Sequence, residues 1–282
     1  MNTVPNNHTH ISSKHKLLSL NLKEVWKYRD LIWLFTKRTF VVSYKQTILG
    51  PLWLFLTPLI SSLIYAFVFG GIARIPTDGI PSILFYLMSH AAWAFFAASI
   101  NRNASTFTSN ARVFGKVYFP RLTVPISNIL TSIIEFAIQF LMIFAFLLYY
   151  VITKQVSPNW WAWICIPLVL LHLGLLGLGI GIIVSSLTTK YRDLSVLVTF
   201  GVSLWMYVTP IVYPMSCTFG IMQTILTINP VTAPIELLRY IVLGSGTVQL
   251  IPYLVSVALT LIVLLLGIII FNKVEKNFMD TV

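Results

Sequence analysis

The chain has 282 residues, 57% of them hydrophobic and 10% charged, with a mean hydropathy of +0.85. Soluble domains carry about a quarter charged residues, so most of this surface must face something other than water. The net charge of +11 lies in short segments between apolar runs, which excludes a nucleic-acid-binding surface and points to membrane topology.

The first 21 residues are polar and contain no signal-peptide core, so 1–21 is expected to be a cytosolic tail. Residues 22–47 are expected to form an amphipathic helix, with Leu22, Val25, Trp26, Ile32, Trp33 and Phe40 near one face. Its apolar run is too short to span, so it should lie in the membrane interface.

A hydrocarbon core about 30 Å thick needs roughly 20 apolar residues per helix. Six stretches qualify: 50–72, 80–100, 123–152, 163–187, 194–213 and 250–271. The fold expected from these runs is an all-α integral membrane protein of six spans. Lys and Arg crowd one set of flanks, from Lys14 to Lys45, Arg102 to Arg121, Lys190, Arg192, Lys273 and Lys276. The other set holds only Arg74, Lys154 and Arg239. By the positive-inside rule both termini lie in the cytoplasm.

Between the second and third spans, a short helix is expected from about Ser105 to Val117, stopped near Pro120. Such a helix, anchored by a span at each end, makes a rigid lever. Met215 to Gln249 is too polar for a span and holds two short helical runs separated by Asn229-Pro230. Glu236 and Arg239, at i and i+3 in the second run, are placed to pair.

Within the spans, the third carries Asn128, Thr131, Ser132, Glu135 and Gln139 along one face. A lone intramembrane acid fits a neutral or paired residue joining helices better than a proton or substrate site. Gly174, Gly177, Gly181 and Ser185 line one face of the fourth span and predict a close-packed seam. His90 and His172 sit singly in different spans, which suits structural hydrogen bonding and makes no metal site. Cys165 and Cys217 have neither metal-ligand spacing nor a reason to pair.

Two stripes mix aromatic rings with hydroxyls and proline: Phe55, Pro58, Ser62, Tyr65 and Phe69 in the first span, and Phe200, Ser203, Tyr207, Pro210 and Pro214 in the fifth. Sugars stack their C–H faces on rings and need hydrogen bonds, so a substrate channel is one reading of Phe55, Ser62, Tyr65, Phe69, Phe200, Ser203 and Tyr207. An ordinary helix–helix seam is the other. The sequence has no G-x-x-x-x-G-K-[ST], H-E-x-x-H or G-x-S-x-G motif, so ATP hydrolysis and common hydrolase chemistry have no site in it.

Four places in this order resemble a known family: Ser43-Tyr44-Lys45-Gln46-Thr47-Ile48-Leu49-Gly50-Pro51-Leu52-Trp53 with Pro58; Ile75 to Pro81 followed by Trp93, Phe95 and Phe96; Lys116 to Arg121 preceded by Asn103 and Asn110; and Tyr191-Arg192-Asp193, Thr209-Pro210-Ile211 and Asn229-Pro230. The family is that of the ABC-2 type permeases that export O-antigen, capsular polysaccharide and teichoic acid. Ser89-His90-Ala91-Ala92 departs from its pattern, where glycine and leucine are more frequent. The resemblance implies a homodimer in the cell inner membrane, bound to two copies of a separate ATPase that holds ATP and magnesium, with no cofactor on this chain and a lipid-linked polysaccharide, foremost O-antigen, as substrate. It implies that Asn103, Asn110, Phe114, Lys116, Tyr118 and Arg121 belong to the coupling region. It also implies that Asn229, Pro230, Glu236 and Arg239 belong to an outer re-entrant gate. A small-molecule exporter, an ion-coupled carrier and a multipass glycosyltransferase are the alternatives. The carrier would need inverted repeats and several midplane charges, and the enzyme would need clustered acids; the eight acidic residues are scattered.

Overall fold

The structure, a computed structural model, describes residues 22–45, 47–191 and 193–281; the expected tail 1–21 lies outside them. Among the described residues the regular structure is entirely helical. The amphipathic segment forms two helices, α1 (Leu22–Lys27) and α2 (Arg29–Tyr44), interrupted at Tyr28. Its apolar face divides. Val25 and Ile32 dock onto the bundle, whereas Trp26 and Trp33 stay exposed. The Thr36 hydroxyl donates to the Ser127 carbonyl at 3.3 Å, and Phe35 packs on Phe119, which fixes α2 against the start of the third span.

The first span begins with a short 3-10 turn and continues as α3 (Trp53–Tyr65). Its last turns, Ala66–Ile72, widen into a π-helix. The second span, α4 (Ser82–Ala104), runs four residues beyond the expected end and is buried along most of its length. Then come α5 (Thr106–Phe114), close to the helix expected in this connection, and α6 (Thr123–Ile152). A 3-10 segment, Trp160–Cys165, leads into α7 (Ile166–Thr188).

The glycine face of α7 makes the seam expected of it. A Cβ on Gly177 would lie 2.7 Å from the Ser99 Cβ, and one on Gly181 would lie 2.5 Å from the Asn103 Cβ. The backbones of α7 and α4 approach this closely because no side chain separates them. The opposite face of α7 receives α11 (Leu250–Thr281), with Gly179 against Leu264 and Gly267 against the Gly179 carbonyl. His172 Nε2 meets Thr260 Oγ1 at 3.0 Å and Ser256 Oγ at 3.2 Å, a structural tie between the same two helices.

The fifth crossing differs from expectation. Instead of a helix over 194–213, α8 (Leu194–Trp205) ends in a 3-10 turn at Val208, and Thr209 is extended. Pro210 disfavours helical geometry at the residue before it. The 15 helical residues cover about 22 Å, short of the hydrocarbon thickness. The chain continues beyond α8 as irregular backbone, with Thr209, Ile211 and Val212 buried in protein. Lipid would not tolerate such backbone, and only protein partners make it acceptable at this depth.

Two helices follow, α9 (Gly220–Ile228) and α10 (Thr232–Leu243), bent by 89°. The Ser216 hydroxyl, before α9, donates to Asp78 Oδ1 at 2.5 Å; the Ser245 hydroxyl, after α10, donates to the Asp78 carbonyl at 3.2 Å. Both ends of the pair therefore meet the same loop between the first two spans. The pair enters and leaves at one end of the bundle, so it is a helical hairpin.

Candidate functional site

The third-span polar face points into the protein, as an intramembrane carboxylate requires. Arg102, on the last turn of α4, donates from Nη2 to Glu135 Oε1 at 2.6 Å and from Nη1 to Ser132 Oγ at 2.9 Å. The Tyr44 hydroxyl, from the end of α2, donates to the same Glu135 oxygen at 2.9 Å. Burial, and then the neighbouring carboxylate, push the Tyr44 phenol well above its ordinary range, so it remains a proton donor to Glu135. Asn128 Nδ2 donates to Asn103 Oδ1 at 3.0 Å, two turns from Glu135 along α6. Glu135 is thus a paired residue joining α2, α4 and α6. Beside it opens a cleft of about 330 Å³ between α2, α3, α4 and α6.

The two aromatic stripes lie in different surroundings. Pro58 and Ser62 are buried within the chain, and Tyr65 packs edge-on to Tyr86 and His90 and beside Phe69. Phe55 and Phe69 are half-buried. The inner residues of this stripe form a seam on α4. On α8 the stripe splits: Pro210 and Pro214 are buried, whereas Ser203 is exposed and Phe200 and Tyr207 retain 62% and 55% exposure. The Tyr65 hydroxyl reaches the Met206 sulfur at 3.8 Å, so the first and fifth crossings touch within one protomer.

At the basic end, Asn103 is buried and bonds the Ser99 carbonyl, and Asn110 bonds the Thr106 carbonyl. Phe114 packs among Phe107, Phe119 and the Arg121 guanidinium. Arg121 also donates to the Glu275 carbonyl at 2.7 Å and lies 3.7 Å from the Glu275 carboxylate. Phe114 and Arg121 hold the end of α5 against the bundle, whereas the Asn110 bond stays within α5 and the Asn103 bond within α4. Lys116 and Tyr118, by contrast, are exposed in the turn after α5, Tyr118 by 77%.

At the other end, the hairpin caps the broken fifth crossing. Asn229 Nδ2 donates to the Val208 carbonyl at 2.9 Å and to Thr209 Oγ1 at 3.0 Å. Arg239 Nη2 donates to the Pro210 carbonyl at 2.7 Å, and the same nitrogen pairs with Glu236 at i−3, as the sequence spacing predicts. The Arg239 guanidinium is fully buried, 4.4 Å over the Phe85 ring. Glu236 in turn accepts from the Thr247 backbone N–H at 3.0 Å. Pro230 offers its carbonyl to the Ser256 hydroxyl on α11. The hairpin thus satisfies the Val208 and Pro210 carbonyls on either side of the break at Thr209.

Arg102 and Tyr44 are the partners of Glu135 that sequence reading missed. Arg102 sits beside a polar loop and counts naturally as a flanking charge. Its pairing with Glu135 follows only from the extra turn of α4.

The family model described as "ABC-2 type transporter" matches residues 30–243. An "O-antigen export system permease protein RfbA" of Klebsiella pneumoniae is 31% identical over 256 residues, covering 89% of this chain and 94% of the relative. A second protein of that name and organism is 31% identical over 269 residues, covering 93% and 99%. One of the same name from Myxococcus xanthus is 23% identical over 266 residues, covering 93% and 98%.

Proposed function

This chain belongs to the ABC-2 type transporter family, and from that premise we propose that it is the permease subunit of an ATP-driven exporter of a lipid-linked polysaccharide, O-antigen foremost. The observation that carries this is similarity along nearly the whole chain to proteins named as O-antigen export permeases. The flanking charges favour an inner-membrane orientation with both termini in the cytoplasm. ATP and magnesium belong to a separate ATPase, two copies of which dock on a homodimer of this chain. The docking surface is the exposed side of α5 with Arg112, Lys116 and Tyr118; Asn103, Asn110, Phe114 and Arg121 stiffen that lever from within. The hairpin 220–243 forms the outer gate, hinged at Asn229-Pro230 and held by Glu236 and Arg239.

The polymer path runs between two copies along the exposed α8 face of Phe200, Ser203 and Tyr207. A moving polymer needs many weak contacts, and exposed rings with a hydroxyl between them supply these. Phe55, Tyr65 and Phe69 support this path from the first span, and Ser62 lies behind them.

The test compares surface glycan in cells lacking the chain and in cells carrying Tyr207→Ala or Tyr65→Ala. Loss of the chain should abolish surface polymer and leave lipid-linked polymer inside. Tyr207→Ala should lower export several-fold at unchanged protein level, because its ring is exposed. Tyr65→Ala should lower recovery of folded protein as well, since its ring packs on Tyr86, His90 and Phe69. Normal surface glycan without the chain would refute the function; normal export by Tyr207→Ala would remove α8 from the path.

A further inference from the structure

We propose that the cleft between α2, α3, α4 and α6 binds a neutral glycosyl unit inside each protomer, apart from the exposed α8 face; this rests on the chain being a polysaccharide permease. The cleft volume of about 330 Å³ falls at the lower end of ordinary ligand pockets, roughly 300–1,000 Å³. From His90 to Ala98 on the α4 wall it extends over about 12 Å.

Its lining divides into two kinds of surface. Trp53, Phe95 and Phe136 supply rings, while Tyr44, Thr57 and Gln139 supply hydroxyl and amide groups. A lipid chain needs only the first kind. Polar atoms facing such a chain would lose hydrogen bonds that water or a polar ligand provides.

Several of these polar atoms have capacity to spare. Glu135 accepts both Tyr44 and Arg102 on Oε1, which leaves Oε2 without a partner among the described residues. His90 Nδ1 is buried with no hydrogen-bond partner there, and the Gln139 amide makes no hydrogen bond there. The set therefore offers an anionic acceptor, an imidazole nitrogen and an amide that both donates and accepts. Sugar hydroxyls also donate and accept, and so match all three. Charge points the same way. Arg102 neutralises Glu135, so the cleft attracts neither a phosphate nor a cation strongly.

The experiment uses the full chain in native membranes. Thr57→Cys, at the exposed mouth of the cleft, is introduced into a Cys165→Ser/Cys217→Ser chain, which removes the native thiols. It is labelled with a membrane-permeant fluorescent maleimide in cells making the polymer and in cells lacking the first glycosyltransferase. In parallel, export is measured for Gln139→Leu and His90→Phe, which remove hydrogen-bonding groups without touching the ion pair. Expected results are slower labelling only when polymer is made, and about three- to tenfold lower export by Gln139→Leu at normal protein level. Equal, fast labelling in both cells, or normal export by both variants, would overturn the proposal. Equally slow labelling in both would also overturn it, because a bilayer lipid would then be the occupant. If the chain proves dispensable for surface glycan, the proposed function fails and this site with it. If the chain is required but labelling ignores the polymer, only the site fails.

Discussion

Replacing Glu135 with leucine is expected to destabilise the folded chain by about 2–4 kcal/mol, because it strands the Arg102 guanidinium inside the bundle. The pair retains some exposure, 24% for Arg102 and 10% for Glu135. That places the cost below the figure of about 3–5 kcal/mol for breaking fully buried pairs. The remaining Ser132 bond cannot replace a carboxylate, and Tyr44 loses its acceptor at the same time. The double variant Arg102→Met/Glu135→Leu removes both charges and should regain much of the loss, since apolar replacement of an ion pair is often neutral. Thermal unfolding of the purified single and double variants measures the coupling. Additive losses would show that the two residues do not act as a pair.

Gly181→Leu is expected to prevent correct assembly. The added Cβ alone would sit 2.5 Å from the Asn103 Cβ and 3.1 Å from the Ile100 carbonyl. Overpacking of a core usually costs about 1–3 kcal/mol when neighbours can shift. Here the obstacles are a Cβ and a backbone carbonyl of α4, so α7 and α4 would have to separate. Asn103 would be displaced too, and its bond to Asn128 lost. Gly201 provides the matched control, because nothing lies within 4 Å of a Cβ built there. Gly201→Leu should fold normally. The yield of monodisperse protein after solubilisation separates the two, and equal yields would refute the seam.

How legible these features were depended on the range of the interaction that defines them. Span positions follow from uninterrupted apolar runs, so 50–72 and 123–152 coincide with the helical limits. The glycine seam and the Glu236–Arg239 pair follow from helical spacing alone. The helix expected over 194–213 overruns the observed end of α8 because Pro210 lies in an apolar run, and the partners that stabilise the break, Asn229 and Arg239, lie 19 and 29 residues beyond that proline. Spacing could not separate channel from seam in the first span. Tyr65 packs on Tyr86 and His90 of α4, and no local signal in the first span encodes those contacts. The interruption at Tyr28 has no glycine or proline to announce it.

Transport by inside-out inner-membrane vesicles tests the central claim most directly. Vesicles containing this chain and its ATPase are supplied with lipid-linked polymer on the exposed cytoplasmic face, and a glycosidase is added outside after a period with or without ATP. The expected result is that polymer becomes protected from the glycosidase only when ATP, the ATPase and this chain are all present. Polymer that stays fully accessible with all three, or that becomes protected equally well without this chain, would contradict its assignment as the export permease.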